Sequence, residues 1–578
     1  MSNEEIISSL EEFALLHDLD GDVFRRRAFD RACDSLRQQS LGLADVYRDE
    51  GINGLMAIEG VGKGIAGIIE DLIKHGKSAE LSALRKKWPM DVRELSRIDG
   101  VGPATIKKLY EELKIKDIED LKKAISNGKI LKVPRLGESV VEKIKRSLNY
   151  LSTIGERKRL DEAILIAESI KNFLLGIDGV IKVEIAGSLR RMQETIGDID
   201  ILLICRENAS EKIRKNIIQS FIKSPFAKNI IASGEGSASI YLKNQMRCDL
   251  RSLNSNEFGS ALLYFTGDKN HNVALRKLAI SKGLKLSEYG LFRGAKSIAG
   301  KTEDEIYKKL GMGYIPPELR QGRDEIELAL KGNLPTLIDY GDLKGDLQTQ
   351  TDWSDGEHSI EEMAQSAKKA GLSYIVITDH TQSLTIANGL DEKRLLKQID
   401  YIDSLNKRGG NFKILKGAEV NILKDGSLDI DDSVLAKLDV VGASVHSHFE
   451  MSKADMTARI ARAVENPNID IIFHPTGRRI GKREAYEFDI SAIAQLAVKH
   501  SVALEINAHP ERLDLKTEHI REALLHGAKF SIDSDAHDIA GFDVLKYGIG
   551  TARRGGATKN DVINTKSAKD LLHWINKK

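Results

Sequence analysis

The sequence predicts a multidomain chain that is all-α at its N-terminus, α+β in its middle and α/β, with a parallel sheet or barrel, at its C-terminus. Three observations carry this. The chain has 578 residues, which at ~100–200 residues per domain divides into about three to five domains. Residues 1–150 place apolar side chains at helical spacing, as in EEIISSLEEFALL and IKKLYEELKI, with few β-branched runs. After about residue 340, apolar strands (YIVITDH, FKILKGAEV, VVGASVH, IDIIFHP, VALEIN, AKFSIDSDAH) alternate with helical segments, which is a βα repeat.

Between these parts VIKVEIAGSL, DIDILLI and SASIYLKNQMRCDLRSL read as strands, IRKNIIQSFIKS as a helix, and 259–282 as helix again. The stretch IPPELRQGRDEIELALKGNLPTLIDYGD holds three of the ten prolines and reads as a boundary. No apolar run approaches the ~18–20 residues of a membrane span. The acidic start lacks a secretory pattern, and Cys33, Cys205 and Cys248 form no disulfide framework or CxxC pair. A cytoplasmic location is expected. The net charge of +1 conceals an asymmetry: residues 1–338 carry +6 and 339–578 carry −5, with 201–300 alone at +9. Locally basic segments in a neutral chain suit a polyanionic partner.

One motif occurs twice near the start. Ile58-Glu59-Gly60-Val61-Gly62-Lys63 and Ile98-Asp99-Gly100-Val101-Gly102-Pro103 each precede a helix, and Val133-Pro134-Arg135-Leu136-Gly137 is a degraded third copy. Glycines at 60, 62, 100 and 102 allow positive φ and close approach of a ligand, and the following helix offers free N–H groups to a phosphate. The pattern resembles the helix-hairpin-helix, which binds DNA backbone without reading sequence.

The second constellation is Gly187-Ser188-Leu189-Arg190-Arg191 followed by Gly197-Asp198-Ile199-Asp200. Asp198 and Asp200 lie two apart on a predicted strand and so project from one face. Asp249, in Met246-Arg247-Cys248-Asp249-Leu250-Arg251, supplies a third carboxylate on a later strand. Three carboxylates suit two Mg²⁺ (or Mn²⁺) ions in phosphoryl transfer, one activating the attacking oxygen and one neutralising the leaving phosphates. Gly187-Ser188 at a strand end can cradle a triphosphate, with Arg191 pairing its charge.

These residues, with ALLYFTGDKNHNVALRKLA and SEYGLF, resemble the family X DNA polymerases, the DNA polymerase beta-like gap-filling enzymes, over about residues 1–320. The resemblance implies a nucleotidyltransferase palm with Asp198, Asp200 and Asp249 as metal ligands, Asp249 polarising the primer 3′-hydroxyl. It implies triphosphate contacts by Gly187, Ser188, Arg191 and Gly197, and makes Arg159 a further candidate. Tyr264, Phe265 and Gly267 match the segment that packs on the incoming sugar, and Asn272 and Arg276 match residues at the nucleotide and template minor groove. Two departures stand out. Lys269 stands where relatives often carry an acidic residue near the incoming base, where it could add affinity for nucleotide. Ile68 stands at the position of the Schiff-base lysine of the lyase relatives and cannot form an imine; Lys63, Lys74 and Lys77 lie nearby in sequence.

In the C-terminal part polar residues follow the apolar strands: Asp355, His380, Glu419, His446, His474, Asp535 and His537. In a parallel barrel those strand ends meet at one face, and imidazoles with carboxylates suit Zn²⁺ or Mn²⁺ sites that hydrolyse phosphoesters. The stretches GDLQTQTDWSDG, ITDHT, GAEVNI, ASVHS, FHPTGR, EINAHPERLDL and SDAH are similar to the polymerase-and-histidinol-phosphatase (PHP) domain, over about 338–575. That implies a seven-stranded barrel, a trinuclear metal site and 3′→5′ exonuclease activity. The family carries His-x-His on the first strand, where this chain has Gln348-Thr349-Gln350, so reduced metal occupancy and a weak or lost exonuclease are expected.

The expected layout is a helical domain with a helix-hairpin-helix at 1–85, a second such subdomain at 86–150 and the palm at 151–255. A nucleotide- and template-contacting subdomain at 256–320, a linker at 321–338 and the PHP barrel at 339–578 complete it. The expected activity is template-directed DNA synthesis by a monomer on gapped or primed DNA, using deoxynucleoside triphosphates and no membrane. The competing readings are a PHP phosphoesterase or nuclease delivered to DNA by the N-terminal half, and a DNA-end-binding scaffold, against which the three aspartates argue.

Overall fold

A computed structural model describes residues 3–37, 42–98, 100–134, 136–154, 157–206 and 211–575. Asp99 and Arg135 of the glycine-turn motifs lie outside these residues. The chain forms two compact units: residues 1–156 with the short segments 223–227 and 481–484, and the remainder. Among the described residues no helix is long and apolar enough to cross a membrane.

The first unit is helical around one apolar core. Its glycine turns share one hydrogen-bond plan. Val61 N–H donates to Ile58 O and Val101 N–H to Ile98 O, both at 3.0 Å, and Leu136 N–H donates to Val133 O at 3.1 Å. In each turn the first and fourth residues are buried, so apolar burial fixes a turn that Gly60 (φ 75°) and Gly100 (φ 86°) complete with left-handed backbone. Gly62 and Gly102 then cap the helices Lys63–His75 and Pro103–Leu113. The helix Lys63–His75 buries Ile65, Ala66, Ile68, Ile69 and Leu72 at helical spacing, so Ile68 is a core residue.

The second unit begins with a five-stranded sheet. In spatial order its strands are Val180–Ile185, Asp198–Cys205, Arg247–Leu253, Ser237–Leu242 and Ala227–Ser233. Asp198–Cys205 and Arg247–Leu253 run parallel. The Ala227–Ser233 strand, which the pattern of the sequence did not indicate, is an edge strand with six exposed residues and one half-buried, so it lacks the period-two alternation. Helices Phe258–Thr266 and Lys269–Ser281 follow, then a three-stranded sheet over 285–299. The expected linker carries the helix Glu325–Lys331. The buried Glu325 carboxylate accepts from the N–H groups of Gly322 and Arg323 at 2.7 Å each and meets His271 Nδ1 at 2.7 Å.

The C-terminal part is the expected α/β barrel. Seven parallel strands lie in sequence order: Gly345–Thr349, Tyr374–Ile377, Lys413–Asn421, Val440–Ser444, Ile471–Ile472, Ala503–Asn507 and Lys529–Asp533. The last meets the first, where Leu347 N–H donates to Asp533 Oδ1 at 2.9 Å and Gln350 N–H to Ala536 O at 2.8 Å. Most strand residues are buried, as helices covering a parallel sheet require.

Candidate functional site

The palm residues converge through strand register. The parallel pairing sets Asp200 opposite Asp249 and Asp198 opposite Arg247. Ile199 and Ile201, which point to the other face, are fully buried, while Asp198 is exposed and Asp200 and Asp249 are half-buried. Arg247 clamps Asp249 with both ends of its guanidinium, at 3.0 and 2.9 Å. Burial first, then the charges of Asp198 and Asp249, push the Asp200 carboxyl up to about 7. Three like charges share one face, an arrangement that a divalent cation relieves. The donor set is all oxygen, which fits Mg²⁺.

Gly187 closes against this face. Its φ is 65°, and a Cβ there would lie 2.4 Å from Asp200 Oδ2; Ala186 N–H donates to Asp200 O at 2.8 Å. Ser188 Oγ is buried with no hydrogen-bond partner, as is expected of a group aimed at a ligand. Arg191 spends Nη1 on Thr266 O at 2.6 Å, and its Nε is buried and unpartnered. Its neighbour Arg190 donates to both oxygens of Glu303 at 2.7 Å each and to Thr266 Oγ1 at 2.8 Å.

The Tyr264-Phe265-Thr266-Gly267 segment ends a helix. Asn272 Nδ2 holds that end, donating to Tyr264 O at 2.7 Å and Gly267 O at 3.0 Å. The Tyr264 and Phe265 rings meet edge to face at 5.1 Å, and the Arg251 guanidinium stacks on Phe265 at 4.6 Å. Lys269 and Arg276 are exposed on the next helix. Arg159 is placed differently from the expectation of a free triphosphate ligand. Its guanidinium meets Asp161 at 3.1 Å and Glu511, a barrel residue, at 3.0 Å. Arg157, which sequence reasoning passed over, donates to Thr195 Oγ1 at 3.0 Å, and a Cβ on Gly197 would lie 2.8 Å from its Nη1.

The barrel gathers its polar residues around Glu419, which is fully buried. Its Oε1 faces His474 Nε2 at 2.9 Å, His446 Nε2 at 3.1 Å and the Ser444 hydroxyl at 2.7 Å. Its Oε2 accepts from the side-chain amides of Gln348 at 3.1 Å and Gln350 at 3.0 Å, with His380 Nδ1 at 3.3 Å. Burial opposes its ionisation, but His380 and the hydrogen bonds from His446 and His474 hold it well below the usual carboxylate range. His446 Nδ1 lies 2.8 Å from Asn421 Oδ1, and Asn421 Nδ2 donates to Asp429 at 2.8 Å. The Asn421 oxygen is therefore the acceptor, Nδ1 of His446 carries hydrogen, and the lone pair of Nε2 faces a carboxylate. A proton or a cation must sit in that contact.

Asp355 Oδ1 lies 3.8 Å from His380 Nε2 and 3.7 Å from His537 Nε2, while His537 Nδ1 is oriented by Asp535 O at 2.8 Å. Two groups, Asp355–His380–His537 and His380–Glu419–His446, hold their ligand atoms within 4.8 Å of one another. His380 Nδ1 is buried outside any hydrogen bond. These donors fit Zn²⁺ or Mn²⁺. His474 and Asp535 both adopt positive φ, 28° and 57°, backbone strain of the kind that collects at functional sites. The corner formed by Gln348, Gln350 and Asp535 does not fit a further cation: Asp535 Oδ2 is ion-paired with Arg512 Nε at 3.2 Å and accepts from Asn507 Nδ2 at 3.2 Å. Arg512 and Asn507 were not singled out from the sequence, since their roles depend on partners 23 and 28 residues away.

Comparison with known proteins matches these parts in chain order. A helix-hairpin-helix domain model matches residues 1–78 and a SAM-like helix-hairpin-helix tandem model 92–149. The DNA polymerase beta palm model matches 159–237, the DNA polymerase beta thumb model 261–321 and the PHP domain model 346–509. DNA polymerase/3′-5′ exonuclease PolX of Bacillus subtilis (strain 168) is 38% identical over 580 residues, covering all of this chain and 99% of its own. DNA polymerase lambda of Rattus norvegicus is 25% identical over 342 residues, covering 55% of this chain and 56% of its own. A palm, a thumb, helix-hairpin-helix modules and a PHP barrel in this order, with a full-length relative, settle the family: the chain belongs to the family X DNA polymerases that carry a C-terminal PHP domain.

Proposed function

We propose that this enzyme fills gaps in DNA, adding deoxynucleotides to a primer 3′-hydroxyl as a template directs, and that its barrel degrades 3′ ends weakly or not at all. The observation that carries the synthetic reading is the register of Asp200 against Asp249 beneath Gly187. Mg²⁺ held by Asp198, Asp200 and Asp249, when bound, neutralises charge developing on the phosphates. Asp249 orients the primer hydroxyl. The Gly187–Ser188 turn and Arg191 hold the triphosphate, with Ser188 Oγ and Arg191 Nε uncommitted within the protein. Tyr264 and Phe265 back the sugar, and Asn272 fixes the turn that carries them. The glycine turns at 60–62 and 100–102 approach the DNA backbone.

The weak exonuclease follows from the donors at Glu419. Two amides occupy Oε2, which removes that oxygen as a ligand on one side of the site. The name of the Bacillus subtilis relative includes a 3′-5′ exonuclease, and the two remaining imidazole–carboxylate groups favour residual hydrolysis as a second reading.

One assay separates these. A labelled primer is followed on gapped and on open template DNA, in Mg²⁺ or Mn²⁺, with and without nucleotides. Extension that is faster on the gap, with little shortening when nucleotides are withheld, supports the proposal. Rapid shortening that disappears in His380→Ala would overturn the exonuclease part, and equal extension on both substrates would overturn the gap preference.

A further inference from the structure

The barrel mouth contains a cation that belongs to the protein. Asp535 is buried at the end of the last strand. Its Oδ2 lies 3.2 Å from Nε of Arg512 and accepts from Asn507 Nδ2 at the same distance. That amide also reaches Gln348 Oε1 at 3.1 Å, and Gln348 in turn donates to Glu419 Oε2 at 3.1 Å. A continuous run of polar contacts thus joins the two carboxylates: Arg512 ion-paired with Asp535, Asn507 donating to Asp535 and Gln348, Gln348 donating to Glu419, with Gln350 donating to Glu419 from the other side. In this corner Asp535 Oδ2 and Glu419 Oε2, two of the oxygens that would hold a metal, face N–H groups instead. The neutral oxygen of Gln350 is buried there without a hydrogen bond, and one neutral carbonyl is a poor substitute for two imidazoles.

A buried carboxylate must be compensated by a cation or by protonation. Resting on the reading of the barrel as a metal-binding domain, we infer that Arg512 replaces a metal ion in this chain: Asp535 is neutralised by the guanidinium and is not a metal ligand, so the barrel's ions are confined to the side built from Asp355, His380, His537 and His446. The amides at 348 and 350 suit this arrangement, since two imidazole lone pairs in their place would leave the Glu419 oxygen without donors.

Two measurements on the full-length protein test this. Metal equivalents per chain are counted after loading with Mn²⁺ or Zn²⁺ and removing the excess. Asp535→Asn is expected to keep the wild-type number, while His380→Ala loses about one. Loss of an equivalent in Asp535→Asn overturns the inference. Thermal unfolding in EDTA forms the second arm. Arg512→Gln should lower Tm by about 5 °C, since it strands a buried carboxylate, and adding Asp535→Asn to it should recover most of that fall. Additive effects of the two substitutions overturn the inference whatever the metal count. An unchanged count in His380→Ala, with the Tm coupling intact, rejects the barrel as a metal-binding domain and leaves the Arg512–Asp535 pair standing.

Discussion

Arg159 Nη1, on the palm, lies 3.0 Å from Oε1 of Glu511, on the barrel. Asp161 takes the other face of the same guanidinium, with Nε and Nη2 each at 3.1 Å. A half-buried arginine committed to two carboxylates is a poor source of charge for a triphosphate. Arg159→Ala should therefore change the nucleotide KM by less than about threefold, while Arg191→Ala raises it by about tenfold or more, as loss of a charge-assisted contact worth about 1.5–3 kcal/mol requires. Single-nucleotide kinetics on gapped DNA checks this. A larger effect at Arg159 than at Arg191 would show that nucleotide draws Arg159 away from Glu511.

Glu303 is the buried centre of a second cluster, facing Arg190 at 2.7 Å and Arg320 at 2.5 Å. Burial alone would raise its pKa, but Arg190 and Arg320 hold it at about 2. The folded pKa lies below the ordinary 4.5, so the stabilisation is complete above about 4.5 and is lost as pH falls toward 2. Glu303→Gln should destabilise the second unit by about 3–5 kcal/mol at neutral pH, because two arginines lose their counter-charge. Denaturant unfolding at pH 7 measures the loss, which should shrink on acidification.

Proton and cation compete at Asp200. Its carboxyl is raised from 3.8 to about 7 without metal, so below pH 7 the group is protonated and must release the proton to bind Mg²⁺. The Mg²⁺ concentration that half-saturates nucleotide addition should rise about fivefold from pH 7 to pH 6 and stay nearly level from pH 8 to pH 9. A flat profile between pH 6 and pH 8 would place Asp200 outside the cation site.

Gly102 separates DNA approach from folding. Its backbone is extended (φ −77°) and nothing lies within 4 Å of an added Cβ, whereas Gly100 sits at φ 86°. Gly102→Leu should leave Tm unchanged and weaken binding to all DNA sequences alike, because it blocks phosphate approach to the N-terminus of Pro103–Leu113. Gly100→Leu should also cost about 1–2 kcal/mol of stability through backbone strain. Fluorescence anisotropy with unrelated duplexes reads the first effect. Unchanged affinity in Gly102→Leu would remove this turn from the DNA surface.

Those turns were legible because they repeat: apolar, two residues, apolar, glycine recurs in 58–62, 98–102 and 133–137, and a repeated pattern resists coincidence. The barrel was legible because its strands are buried on both faces and read as unbroken apolar runs, each followed by a polar residue. The Ala227–Ser233 strand was not, since an exposed edge shows no alternation. Residues 259–282 read as helix, and the structure has two helices there, Phe258–Thr266 and Lys269–Ser281; the break between them was not legible, because it depends on Asn272, eight residues on from Tyr264, holding that residue's carbonyl oxygen. Proline-rich punctuation suggested a linker at 321–338, but Glu325 is anchored by His271, 54 residues earlier. The same reason hid Arg512: its meaning lies in Asp535, and no local pattern reports a partner across a barrel.

The central claim is that strand register makes Asp198, Asp200 and Asp249 one cation site for nucleotide addition. Asp200→Asn keeps the shape and removes the charge. Measured side by side on one gapped substrate, single-nucleotide incorporation by Asp200→Asn should fall by at least about a thousandfold, while DNA affinity stays within about twofold of wild type and Tm is unchanged or higher. Incorporation within about tenfold of wild type, with Mg²⁺ dependence retained, would contradict the account.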